Sequence, residues 1–66
     1  MSQIELLTLE EVAQRLRKTP GQLRWMIHQK TAPVSAKIGG RRMFRASDVA
    51  SYVDAQFEAA SERAAS

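Results

Sequence analysis

Gln22, Arg24, Trp25 and His28 fall within one short stretch, and Gly39-Gly40-Arg41-Arg42 lies farther along; both groups offer hydrogen-bond donors and positive charge. Arg24 can fork onto guanine or a phosphate, and Gln22 can address adenine or a phosphate. The Trp25 indole N–H can donate to a phosphodiester backbone, and His28 adds a further candidate contact. A Gly-Gly tip followed by Arg41 and Arg42 suits a minor groove or its flanking phosphates: glycine, here Gly40, permits close approach, and arginine is drawn to the negative potential of a narrow groove. Arg17, Lys18 and Lys37 read as phosphate contacts, which set affinity and its salt dependence without reading sequence. Thr19 and Gly21 complete the candidate set of DNA-binding residues. The chain lacks a paired nucleophile and base, a metal-ligand cluster and a phosphate-cradling motif, so the expectation is no enzyme, no cofactor and no small-molecule substrate.

Each assignment has a plainer counterpart. Trp25 could be a partly buried core aromatic, a large share of the apolar area that so small a chain can bury. His28 also reads as a surface residue at a helix end. Arg41 and Arg42 could be turn charges that protect a hairpin edge from aggregation. The information lies in the ordered combination rather than in any single motif.

The charge distribution favours the nucleic-acid reading. Net charge is only +3 over 66 residues, but it is segregated. Residues 1–11 carry Glu5, Glu10 and Glu11 with no base, and residues 46–66 carry Asp48, Asp54, Glu58 and Glu62 with Arg63. Between them, residues 12–45 hold nine lysines and arginines and no acid. Such a field attracts polyanions even at modest net charge. No cysteine is present and histidine occurs once, so neither disulfides nor a structural zinc site is expected to supplement the core. The early residues do not read as a secretory signal and no apolar run approaches the length of a bilayer span, so a soluble cytoplasmic protein is expected, with no membrane partner.

The elements that must position these residues are legible in turn. Thr8-Leu9-Glu10-Glu11 is a capping box, and Leu9, Val12, Ala13 and Leu16 repeat as the stripe of an amphipathic helix over about residues 9–17. Thr19 as N-cap, Pro20 at the first helical position and Gln22 as the reciprocal partner start a second helix over about 20–29. Leu23, Met26, Ile27 and the stem of Lys30 are expected on its packed side. Two short helices so closely joined imply a helix-turn-helix. Pro33 marks a loop; residues 36–45 then read as a two-stranded hairpin turning at Gly39-Gly40, with Ile38 and Phe44 facing the core and Lys37, Arg41, Arg42 and Arg45 projecting outward or toward the tip. A last helix over about 46–62 is expected to bury Val49, Tyr52, Val53, Phe57 and Ala60 and to fray in its alanine-rich tail. The predicted fold is mainly α with a small β-hairpin, a single winged helix-turn-helix domain over residues 1–66.

Beyond this element order, Leu7-Thr8-Leu9-Glu10-Glu11-Val12-Ala13, Thr19-Pro20-Gly21-Gln22-Leu23-Arg24-Trp25, Lys37-Ile38-Gly39-Gly40-Arg41-Arg42 and Ser47-Asp48-Val49 resemble the excisionase family of MerR-like winged helix proteins over roughly residues 6–57. Alanine and arginine usage is similar to that of actinobacterial phage proteins, suggesting a mycobacteriophage. The resemblance implies a recombination directionality factor that binds attachment-site DNA, bends it and directs a tyrosine integrase toward excision. It also implies cooperative self-association on double-stranded DNA, with the second helix in the major groove and the wing in the minor groove. Lys30 departs from the family, standing where many relatives have glycine, and Thr31-Ala32 replaces a usual glutamate-leucine. A small phage or bacterial transcription regulator, and a module whose last helix binds a protein partner, are the alternative roles.

Overall fold

The computed structural model describes residues 4–65. Its elements run β1 (Leu6–Thr8), α1 (Leu9–Arg15), α2 (Pro20–His28), β2 (Ser35–Ile38), β3 (Arg41–Arg45) and α3 (Ala46–Ala65). The described residues thus form three helices and one antiparallel sheet in the order β1-β3-β2, a winged helix fold.

Both expected capping boxes are present. Thr8 Oγ1 accepts the Glu11 N–H at 3.1 Å while the Glu11 carboxylate accepts the Thr8 N–H at 2.8 Å. Thr19 and Gln22 repeat the exchange at 3.1 and 2.9 Å. The helix ends are equally defined. Arg17 and Lys30 both adopt positive φ, 60° and 62°. After α1, the N–H of Lys18 reaches Ala13 O and that of Arg17 reaches Gln14 O; after α2, Thr31 reaches Met26 O and Lys30 reaches Ile27 O. These paired bonds are Schellman motifs, which usually place glycine at the left-handed position. They stop α1 at Arg15 rather than 17 and α2 at His28 rather than 29, so Arg17 lies in the turn and Lys30 leaves the packed side expected of it to sit exposed in the loop.

The sheet differs from the expected two-stranded wing by one strand. Leu6–Thr8 pairs along β3, with Leu7 opposite Phe44, and the bond from Ala46 N–H to Glu5 O extends the ladder. Three residues are too few to show a period; the open edge of β3 makes them a strand. On the other side, the two-residue turn sets Ile38 opposite Arg41 and therefore Ser35 opposite Phe44. Ile38 is an odd number of residues from Ser35, so it points away from the Phe44 face and is 51% exposed, contrary to the expectation that Ile38 and Phe44 both face the core.

The core is one cluster of Leu7, Leu9, Val12, Ala13, Leu23, Phe44 and Val49, with Leu16, Met26, Ile27, Ala32 and Ala46 packed around it. The loop contributes Pro33, which is buried. Helix α3 joins through Ala46 and Val49; Tyr52 and Val53 are only half-buried, Phe57 is 73% exposed and Ala60 is exposed, so the buried stripe ends earlier than its periodicity implied. A 20-residue helix is about 30 Å long, and this core underlies only its first turns. The helix continues to Ala65, past the expected end at 62. No helix among the described residues is long and apolar enough to cross a membrane.

Candidate nucleic-acid interface

Helix α2 sits with Leu23 fully buried and Met26 and Ile27 half-buried, which turns Gly21, Gln22, Arg24, Trp25 and His28 outward. Trp25 is 63% exposed, so it is not the core aromatic that its size allowed. Its ring lies 5.8 Å from that of His28, centroid to centroid, at a tilt of 32°. The two aromatics form one exposed ledge on the helix. Below it, Trp25, Met26, Gly21, Gln22 and Lys18 line a shallow, mostly apolar depression.

Gln22 has a second duty. Its Oε1 accepts the Thr19 N–H in the capping box, while a bidentate contact to adenine requires the amide oxygen as well as the amide NH2. With the cap closed, Gln22 offers its NH2 alone. The full base-reading geometry among the residues of this face therefore falls to Arg24, whose guanidinium carries a fork of donors.

The wing turns at Gly39 and Gly40, both at positive φ (59° and 82°), as the tight hairpin turn requires. An added Cβ at either would meet nothing within 4 Å. The backbone conformation, not crowding inside the free protein, is what calls for glycine here.

The four wing cations are not equivalent. Arg41 and Lys37 are exposed. Arg42 is half-buried, and its Nη1 donates to Ser35 Oγ at 3.2 Å, so it braces β3 against β2 instead of extending freely to the tip. Arg45 turns back to donate from Nε to Asp48 Oδ2 in the first turn of α3, which removes it from the outward-projecting set. Arg17 and Lys18 are exposed in the turn between α1 and α2, next to the α2 N-terminus marked by Thr19.

Between α2 and the wing lies an open cleft lined by Arg24, Arg41 and Arg42, with Thr8, Leu9, Glu10 and Met43 completing its wall. Glu10 Oε2 stands 3.9 Å from Arg24 Nη2. The charge blocks along the chain placed Glu10 in an acidic leader segment, and no local spacing links it to Arg24. Only the packing of α1 on α2 brings this carboxylate into the basic surface.

The family model for the helix-turn-helix domain matches residues 6–56, most of the chain. The chain belongs to the helix-turn-helix domain family. This family includes excisionase-like DNA-binding proteins, and its fold implies binding to double-stranded DNA. No curated protein and no solved structure shows a significant match to the chain. In this helix-turn-helix domain the matched segment includes every candidate contact, from Arg17 to Arg42, and stops within α3 near Phe57, close to where that helix leaves the core. Among the described residues there is no cluster of three or more potential metal ligands, and no buried side-chain polar atom lacks a partner.

Proposed function

We propose that this domain is a sequence-specific accessory protein of the excisionase type, which binds attachment-site DNA, bends it and directs a tyrosine integrase toward excision. In this reading α2 enters the major groove, with Arg24 reading a base edge and Trp25, His28 and the Gln22 amide NH2 supporting it. The wing tip at Gly40 and Arg41 follows the adjacent minor groove, with Arg42 held near it. Arg17, Lys18, Thr19, Gly21 and Lys37 meet phosphates on either side. Copies bind cooperatively along repeated sites, in the cytoplasm of a bacterial host.

The observation that carries the reading is the pairing of an exposed donor face on α2 with an arginine-bearing glycine turn across one cleft. A protein that engages a major and a neighbouring minor groove together gains contacts when the duplex curves toward it, which offsets the cost of bending. The resemblance of the α1, α2 and wing motifs to excisionases supports the recombination role.

The test is recombination in vitro with a tyrosine integrase and its attachment sites, comparing excision and integration with and without the protein. Stimulated excision is the expected result. Specific DNA binding with no effect on either reaction would replace this role by that of a small transcription regulator.

A further inference from the structure

The acid-free run of residues 12–45 makes a surface suited to any duplex, since phosphates are the same in every sequence. Discrimination grows either with better base contacts or with a group that penalises phosphate contacts more than base contacts. Glu10 is placed to impose that penalty. It lines the cleft with Arg24, Arg41 and Arg42, and its carboxylate lies 3.9 Å from Arg24. Glu11, beside it, is committed to the Thr8 capping box, and Asp48 to Arg45.

The Glu10–Arg24 pair does little for folding. At 3.9 Å it is longer than a hydrogen bond, and its side chains are 65% and 63% exposed, the situation in which ion pairs contribute almost nothing to stability. Its effect on DNA is asymmetric. When Arg24 donates to a neutral base edge, it can stay beside Glu10 and the carboxylate remains compensated. When Arg24 swings to a phosphate, Glu10 is left without its cation against a second negative charge, and like charges so placed repel.

We propose that Glu10 is a specificity-determining residue, a carboxylate that biases Arg24 toward base edges by penalising its use as a phosphate anchor. The inference rests on Arg24 as the base-reading side chain. Glu10 acts through Arg24 and needs no contact with DNA of its own.

The experiment compares wild-type protein, Glu10→Gln and Glu58→Gln on two probes across a salt series. One probe is a short random-sequence duplex, the other the duplex enriched by repeated selection on the wild-type protein. Glu58→Gln removes one negative charge from α3, outside the cleft, and controls for net charge. Glu10→Gln should bind the random duplex on the order of fivefold more tightly, with a salt slope steeper by roughly one released counterion. Its affinity for the enriched duplex should change little, so the ratio of specific to random binding falls. Glu58→Gln should keep the wild-type ratio. An unchanged ratio for Glu10→Gln, or an equal fall for Glu58→Gln, overturns the proposal. Failure of the underlying reading looks different: wild-type protein would then select no sequence at all, or Arg24→Ala would leave its preference intact.

Discussion

The rings of Trp25 and His28 lie 5.8 Å apart on the outer face of α2, and Trp25 keeps 63% of its surface exposed. A tryptophan in a small core would cost about 3–5 kcal/mol on truncation to alanine. Trp25→Ala should instead shift unfolding free energy by less than about 1 kcal/mol while weakening DNA binding. Urea unfolding and a DNA titration of the same variant measure both; a large stability loss would return Trp25 to a packing role.

Arg24 and Lys18 should separate by kind of contact. Arg24→Ala is expected to weaken binding to a selected site by about 1–3 kcal/mol and to random DNA by less, whereas Lys18→Ala should lower both alike and reduce the salt slope by roughly one counterion. Gel-shift titrations on the two probes decide it. Equal losses for Arg24→Ala on both would reduce it to a phosphate contact.

The wing arginines should divide as well. Arg41 is exposed at the turn, so Arg41→Ala should lower DNA affinity and its salt slope with little change in stability. Arg42 is bonded to Ser35, so Arg42→Ala should also destabilise the fold, by about 0.5–1.5 kcal/mol. Thermal unfolding of the two variants side by side checks the division, and indistinguishable midpoints would contradict it.

The left-handed residues ending α1 and α2 supply a prediction in the stabilising direction. Lys30 holds φ 62° at a cost that glycine would not incur, and it lies in the loop after α2, outside the core. Lys30→Gly should raise stability by about 0.5–1 kcal/mol, the gain at the helix end exceeding the entropy that glycine adds to the unfolded chain. Denaturant midpoints at matched slope test it, and a destabilised variant would refute the assignment.

Acid should weaken the first helix cap. The Thr8 backbone N–H, and next its hydroxyl, hold the Glu11 carboxyl below the usual carboxylate range. A group whose folded pKa is depressed contributes stability above its unfolded pKa, and that stability is lost as pH falls through the folded value. Stability should therefore decline as pH falls below the unfolded carboxylate value of 4.5, and Glu11→Gln should flatten the Glu11 part of that decline. Unfolding series for both proteins at several pH values would show identical slopes if the cap were not involved.

Most of the scaffold was legible because its signals are local. A capping box is written within four residues, Thr8 to Glu11 and Thr19 to Gln22, and Gly39-Gly40 announces its own turn. Helix ends were less visible: the Schellman closures use Arg17 and Lys30, residue types that do not favour positive φ, so nothing in the composition marked them. The candidate contacts on α2 were recoverable from helical periodicity alone, as one face of the helix carries Leu23, Met26 and Ile27 and the other follows.

The amino-acid sequence by itself determined the order of the three helices and the wing hairpin, the segregation of charge into a basic middle and the identity of the candidate DNA-contacting side chains. Those properties depend on neighbours a few residues away and on the simple sum of charges. Tertiary structure alone decided the third strand, the outward turn of Ile38, the bracing of Arg42 on Ser35 and the entry of Glu10 into the cleft beside Arg24. Each joins residues whose relation is set by strand register or helix packing, and register depends on which apolar face is buried across the whole molecule. What charge counting presented as one uniform basic surface is, in three dimensions, a few free cations, two committed ones and a carboxylate placed among them.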